Sequence, residues 1–568
     1  MGALVSALVL LVSQWWTGFN SPDSEFYASF ALYGADVADR AVEPAYYWTR
    51  LGYIAPARAL VSILGPWWGF GLWRALLIIM IVAAVMIVAH ATGRTLVLAT
   101  GLALFVGLNT VVLAYVGNTY LSGTIIAVTF LLLSLGVSYL SVSGARETKL
   151  DGRPRWTIAA GSGLLLGWLL MLNPYALILG LGMWLSIRFL VVWAVPTRRW
   201  QRLGIDALAG LTGTLVGFGV FWLAGLVIFP GRDWWGTYLE WNTRLDYTDF
   251  IGDATTWQRD TALIVVVLAI VGSLVAAVGN RRNWWAWAAL VISVTNVLVT
   301  VVLMAVMPGP WLEAPHYVAL LWPGALLSLA LVFISLSPGH SEGRASYPWV
   351  YAAGIAITVP LIMWAGRFDG VLPLGVAWAI AGILVLALGL VAWLVRGRWN
   401  AVVAGALVVV MGAVFVSAQV WQNGRGLLGI YSQYPFRSAF VDFQFDDQFA
   451  SRMDIQKWLL ARTTRDDSIA IWADPAGLGR EVAAMQMWGD YNLSTQEAQL
   501  SRETTTRLEQ MRPTAVAMYA PDREQIEGFY ASLPPWSLPS DLECTAAPYL
   551  GVGSGEIVAC LTRLTWVG

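Results

Sequence analysis

Apolar runs of about 18–24 residues, each closed by a short polar or charged break, recur from the start of the chain to about residue 420. A run of that length crosses a bilayer as a helix. The pattern predicts thirteen spans, at about 2–17, 71–92, 95–115, 120–142, 157–174, 176–196, 207–229, 262–279, 285–307, 317–336, 348–366, 373–395 and 400–420. After residue 421 no spanning run follows, and charged and turn-forming residues punctuate the chain. There DSIAIWAD and PTAVAMYA read as buried strands, REVAAMQMW and TTTRLEQM as helices, and GEIVACLTRL as a last strand. The expected organisation is a transmembrane domain over 1–420 and a small α/β domain over 421–568.

The breaks orient the spans. One alternating set carries Arg94; Arg146, Lys149, Arg153 and Arg155; Arg198, Arg199 and Arg202; Arg281 and Arg282; Arg344; Arg396 and Arg398. The positive-inside rule makes this set cytoplasmic. Segments 18–70, 230–261, 308–316, 367–372 and everything after 421 then lie outside. The first run lacks a basic flank and a small-residue cleavage site, so it reads as an uncleaved helix.

Composition agrees. Hydrophobic residues make up 58% and charged residues 12%, far from the quarter charged that is usual for soluble chains. A net charge of -1 gives no reason to expect nucleic acid. Many of the 32 Trp stand at the ends of apolar runs, where amphipathic rings favour the membrane interface. Lys occurs only at Lys149 and Lys457, and Arg dominance with abundant Ala, Gly and Val points to a high-GC bacterial genome, hence a bacterial cytoplasmic membrane. Three His exclude a His-rich metal centre. Cys544 and Cys560 both fall in the C-terminal domain, where an oxidising compartment favours a disulfide over two buried thiols.

Candidate chemistry concentrates in the outer segments. The spans hold no ladder of Asp, Glu or His of the kind proton-coupled transport needs, and Arg188 and Asp206 are expected to snorkel from span ends. Glycines such as those of GSGLLLG (161–167) serve helix packing. The first outer segment carries Asp23, Glu25, Asp36, Asp39, Arg40, Glu43, Arg50 and Arg58 among many aromatics. Its stretches 25–40 and 47–64 have helical periodicity and are expected along the interface. The 230–261 segment has the same character, with Arg232, Arg244 and Arg259.

Taken in order, these pieces resemble the GT-C superfamily of membrane glycosyltransferases. An acid stands in the first outer segment just after the first span (SPDSEFY); a His-Tyr step opens a late span with an internal Pro (PHYVALLWPGALL); a terminal α/β domain contains DSIAIWADPAGLGREVAAM. The resemblance implies a polyprenyl-phosphate sugar donor, an envelope glycan, lipid or protein acceptor, and transfer at the outer face. Asp23 matches the family's base position and Glu25 is a second choice. Arg50, Arg58, Arg232, Arg244, Arg259, His316 and Tyr317 are candidates to meet the lipid phosphate, for which Arg is suited by its fork geometry. Simpler roles stand beside these: Asp23 also fits a helix N-cap, Glu25 a first-turn charge, and each Arg a partner for a loop carboxylate or lipid headgroup. No cofactor is implied; a divalent cation is compatible with a diphosphate donor, but no ligand set is legible. A flippase of lipid-linked glycan intermediates and a non-catalytic envelope assembly protein are the competing functions.

Overall fold

The computed structural model describes residues 22–35, 45–93, 99, 102–103, 106, 112, 115–116, 121–144, 155–194, 199–244, 261–279, 283–306, 314–336, 454–455, 457–459, 461–464, 467–473, 491–492, 500–548 and 555–566. The chain is a multi-pass helical membrane protein. Among the described residues six helices are long and apolar enough to cross a bilayer: Trp68–Ala91, Ser122–Ser141, Arg155–Leu172, Pro174–Val191, Gly204–Ile228 and Trp284–Leu303. The expected spans 2–17, 348–366, 373–395 and 400–420, and the helix over REVAAMQMW, lie outside the described residues; span 95–115 is described only at scattered positions.

The helices, in chain order, are α1 (Pro22–Tyr33), α2 (Leu51–Ala91), α3 (Ser122–Gly144), α4 (Arg155–Leu172), α5 (Pro174–Ala194), α6 (Arg199–Ile228), α7 (Trp234–Arg244), α8 (Thr261–Gly279), α9 (Trp284–Val306) and α10 (Ala314–Leu336). Of the helical stretches expected at 25–40 and 47–64, the first is covered by α1 as far as Tyr33 and the second by the first limb of α2 from Leu51; residues 36–40 lie outside the described residues. A 3-10 turn, Ala45–Thr49, precedes that limb. Helix α2 is broken at Gly65, whose φ of 78° and ψ of 169° are left-handed and extended, directly before Pro66. A Cβ on Gly69 would fall 2.5 Å from Val61 Cα. Eight residues of straight helix span about 12 Å, so the chain doubles back here.

Helices α4 and α6 touch backbone to backbone. A Cβ on Gly163 would strike Gly210 O, one on Gly167 would lie 2.5 Å from Thr214 O, one on Gly213 would strike Ala160 O, and one on Gly217 would lie 2.5 Å from Leu164 O. Small residues four apart on both helices permit this approach, which dispersion then rewards. The other face of α6 presents Leu208, Leu211, Leu215 and Leu223 outward, as a lipid-facing helix should. Helix α2 packs on α3, α3 and α9 both pack on α5, and α8, α9 and α10 pack on one another. Across the α9–α10 seam Asn296 Nδ2 donates to Leu321 O (2.7 Å), with Gly324 leaving the room it needs.

Arg188 and Asp206 do not snorkel. They pair at 3.6 Å between α5 and α6 and are 5% and 6% exposed. Tyr139 of α3 donates its hydroxyl to Asp206, and the Arg188 guanidinium lies 3.2 Å from the Tyr139 ring centroid and 4.4 Å from that of Trp184. Hydropathy reads each charge separately; folding brings opposite charges and two ring faces together.

The C-terminal part contains a five-stranded mixed sheet in the order β2-β1-β3-β5-β4, built from β1 (Ile469–Ala473), β2 (Tyr491–Asn492), β3 (Ala515–Ala520), β4 (Glu543–Pro548) and β5 (Glu556–Arg563). Strands β2 and β3 flank β1 in parallel, and β5 runs antiparallel to both β3 and β4. Cys544 and Cys560 are directly paired across β4 and β5 and form a disulfide. Helices α11 (Arg502–Met511) and α12 (Arg523–Ala531) start at capping Ser501 and Asp522. Alternation along β3 divides the sheet: Val516, Met518 and Ala520 join Leu508, Ile526 and Phe529 in one apolar cluster, with the Trp472 ring stacked on Phe529 at 4.3 Å. Ala515, Ala517 and Tyr519 belong to the larger cluster that runs through the membrane helices.

Candidate functional site at the helix rim

One end of the bundle is built to gather polar side chains among aromatic rings. The α4–α5 turn is tight because Asn173 Oδ1 accepts the Tyr175 N–H (2.9 Å) and Pro174 supplies the first helical residue. The start of α2 presses on this tip: a Cβ on Gly52 would lie 2.7 Å from Leu172 Cγ, and Trp168 Nε1 donates to Gly52 O (2.8 Å). Helix α7 closes the third side. Asp233 caps it through Gly236 N (2.8 Å), and Tyr238 donates to Leu170 O (2.5 Å) while its ring stacks on Trp235 at 5.2 Å.

Two buried cations stand just before and within α2. Arg50, immediately before α2, is 4% exposed, with its guanidinium carbon 5.2 Å from the Tyr238 ring centroid. Arg74 is 5% exposed and lies six residues, about 9 Å, inside the span that starts at Trp68. Tyr53 connects the two regions, being one turn after Arg50 and within the electrostatic reach of Arg74. Arg232 is half-buried 5.8 Å from the Trp48 ring centroid. Burial pushes the Tyr238 hydroxyl up to about 12, against the opposing pull of Arg50. Burial likewise raises Tyr53, against Arg74. Both phenols are therefore neutral hydrogen-bond donors at ordinary pH. Among the described residues, Trp48 Nε1, Tyr53 Oη and Trp73 Nε1 are buried with no hydrogen-bond partner. Orphaned buried donors are uncommon in folded proteins, and three in one neighbourhood suit a ligand rich in acceptor oxygens.

Helix α1 leans on the same neighbourhood. Its Tyr27 is buried with ring centroids 5.4 Å from Tyr47 and 5.8 Å from Tyr53. Asp23 stands one helical turn before Tyr27, and Glu25 two residues after Asp23, both in the first turn of α1. Their side chains lie outside what is described.

The remaining sequence candidates divide. Arg58 NH1 donates to Ala31 O (3.2 Å) and Leu32 O (3.0 Å), closing the last turn of α1. Gly34, at φ +59°, lies against that guanidinium, where a Cβ would come within 2.9 Å of its central carbon. Arg244 ends α7, and His316 and Tyr317 stand in the first turn of α10, with side chains outside the described set; Arg259 lies outside the described residues altogether. Arg74, Tyr238, Tyr175, Tyr53 and Trp73 are absent from the sequence candidates. The signal for Arg74 was present: a lone Arg within an apolar run is a functional-site hypothesis by default. The tyrosines carried none, because aromatic residues fill every outer segment. No group of three or more His, Cys, Asp or Glu that could hold a metal ion occurs among the described residues.

No family model and no curated protein matches the chain. Among solved structures it is similar to ArnT from Cupriavidus metallidurans bound to undecaprenyl phosphate, at 14% identity and a TM-score of 0.49, over 98% of this chain and 97% of that chain. The apo state of the same protein matches at 14% identity over the same shares, with a TM-score of 0.45.

Proposed function

We propose that the protein is an inverting glycosyltransferase that moves a sugar from a polyprenyl-phosphate donor to a cell-envelope acceptor at the outer face of a bacterial cytoplasmic membrane. The observation that carries the reading is the pairing of two buried guanidinium groups, Arg50 and Arg74, with three unpartnered buried donors at one end of the spans. A phosphate at headgroup depth needs that combination, and Arg offers it two parallel N–H groups. In this reading Asp23 takes the acceptor hydroxyl proton as that oxygen attacks the anomeric carbon. The bond from that carbon to the phosphate oxygen breaks, and the electron pair leaves with the lipid phosphate. Arg50, Arg74 and Arg232 meet the charge that develops there, so they stabilise the transition state more than the bound donor. Glu25 supports the first turn of α1. The positive-inside pattern supports the outer side.

A flippase would need polar groups along the full depth of the bilayer. Arg188 and Asp206, toward the opposite end of the helices, are instead paired with each other. The test uses purified protein in nanodiscs with polyprenyl-phosphate sugars and measures release of polyprenyl phosphate by mass spectrometry. Asp23→Asn is expected to lower kcat by about 10²–10⁴-fold, the range for a positioned general base, while the thermal midpoint stays unchanged. A folded Asp23→Asn protein with full transfer activity removes Asp23 from the mechanism. Stabilisation by the lipid phosphate without sugar release points to a binding protein, and movement of the lipid across a vesicle without sugar release to a flippase.

A further inference from the structure

Helix α10 runs through the interior of the described bundle. From 320 to 334 every residue is buried, and the helix packs on α3, α8 and α9. A helix closed in all round is held in place by its neighbours. It has one weak point all the same. Pro323 stands in its interior, has no N–H to donate to the Ala319 carbonyl, and is followed by Gly324. A proline inside a helix is where the helix bends or yields. Before it lies an arm, 314–322, about 13 Å long, that carries His316 and Tyr317. Asn296 of α9 reaches into this place. It is 1% exposed, and its Nδ2 donates to Leu321 O (2.7 Å), two residues before the proline. It lies against Gly324, where a Cβ would come within 2.5 Å of that Nδ2 and within 3.1 Å of Met183 Sδ on α5. Among the described residues its Oδ1 is buried with no hydrogen-bond partner. The amide is therefore not one member of a satisfied polar network. It leaves an acceptor unpaired, a cost that an apolar residue would avoid, and what it makes is the bond to α10.

We propose that Asn296 is the latch of a hinge in α10: by holding Leu321 O it sets the direction of the arm 314–322 against the packed segment 323–334, and is in that sense a positioning residue for His316 and Tyr317. The catalytic consequence rests on the glycosyltransferase reading, in which those two residues are candidates to meet the lipid phosphate; the latch itself does not. In the positive-inside reading the arm lies on the outer side, as the rim does. A change of about 10° at the hinge moves the start of the arm by about 2 Å. Misplacement by about 1 Å costs about a hundredfold in rate.

The test has two readouts on the full chain in nanodiscs. Asn296→Leu keeps an apolar filling and removes the donor; Asn296→Ala serves should Asn296→Leu not fold. Backbone amides of 318–322 are expected to exchange hydrogen about threefold to tenfold faster, as the loss of one interhelical hydrogen bond allows, with amides of α3 unchanged. Adding Pro323→Ala restores the missing N–H of α10 and is expected to return that exchange to within about twofold of wild type, which repair of general packing would not do. At saturating donor, release of polyprenyl phosphate is expected to fall by about tenfold to a hundredfold in Asn296→Leu. Exchange over 318–322 that stays at the wild-type rate overturns the latch. An equal rise over α3, or a rise that Pro323→Ala does not reverse, overturns the hinge. Faster exchange with full turnover removes the arm from the site. A wild-type protein that releases no polyprenyl phosphate overturns the glycosyltransferase reading alone, because hydrogen exchange needs no turnover.

Discussion

The buried Arg188–Asp206 pair predicts strongly non-additive stability effects. Asp206→Asn leaves the Arg188 cation between the Tyr139 and Trp184 rings with no counter-charge, at a site where both ionic partners are 5–6% exposed. Breaking a buried pair in this way costs about 3–5 kcal/mol, or more than a hundredfold in the folding equilibrium. Arg188→Met strands the Asp206 carboxylate, which keeps only the Tyr139 hydroxyl, and should cost a similar amount. Tyr139→Phe removes one hydrogen bond to a charged group and should cost less, about 1.5–3 kcal/mol. The double replacement Arg188→Met with Asp206→Leu removes both charges and should fall within about 1 kcal/mol of wild type. The assay is unfolding in mixed micelles, with wild type, Arg188→Met, Asp206→Leu and their combination forming a double-mutant cycle. A coupling above about 2 kcal/mol is expected; single effects that add to within about 0.5 kcal/mol would show that the two charges do not act as a pair. Under the proposed function, sugar transfer should be untouched in the double variant, since this pair sits away from the rim.

Three further outcomes follow from local geometry. Gly213→Val should separate α4 from α6, because its new atoms meet the Ala160 backbone, and should cost upwards of about 1–3 kcal/mol; Gly219→Ala, with nothing within 4 Å of the added carbon, should be neutral or stabilising by thermal unfolding in detergent. Burial raises the Asp467 carboxyl, but hydrogen bonds from Arg563, Thr464 and Thr514 outweigh it and hold it below the usual range. Its contribution is therefore complete above the unfolded-state value of about 4 and is lost as pH falls through the lower folded-state value, and Asp467→Asn should flatten that acid limb in a pH series of melts. Reducing the Cys544–Cys560 disulfide, a separation of 16 residues, should destabilise the C-terminal sheet by about 3 kcal/mol in the chain-entropy account; an unchanged melt under reductant would place its value elsewhere.

The span pattern was legible because a bilayer imposes one strong length rule on apolar runs. Expected spans at 157–174, 176–196 and 285–307 correspond to Arg155–Leu172, Pro174–Ala194 and Trp284–Val306, within a few residues at each end. Strands β1, β3 and β5 were legible for a similar reason, as buried strands read as short apolar runs. Strand β4 (ECTAAP) and helix α12 (REQIEGFYA) were not read: the first has little apolar content, and the second declares itself mainly through the Asp522 cap. At the site, the sequence pointed to Arg50 and Arg232 by their segments. It could not separate them from Arg58, whose carbonyl partners on α1 lie 26 and 27 residues away in the chain.

By itself, the order of apolar and polar positions determined a multi-pass helical chain with a small sheet after it. Those are one-dimensional properties, set by hydrophobic length and by period. Which charges are buried, and against what, was decided only in three dimensions. Arg74 is buried within a span and within the electrostatic reach of Tyr53, while Arg188 and Asp206, which looked able to reach water, are closed in by Tyr139 and Trp184. The energy of a charge in a low-dielectric place depends on its neighbours at a few ångströms, and those neighbours come from helices far apart in the sequence.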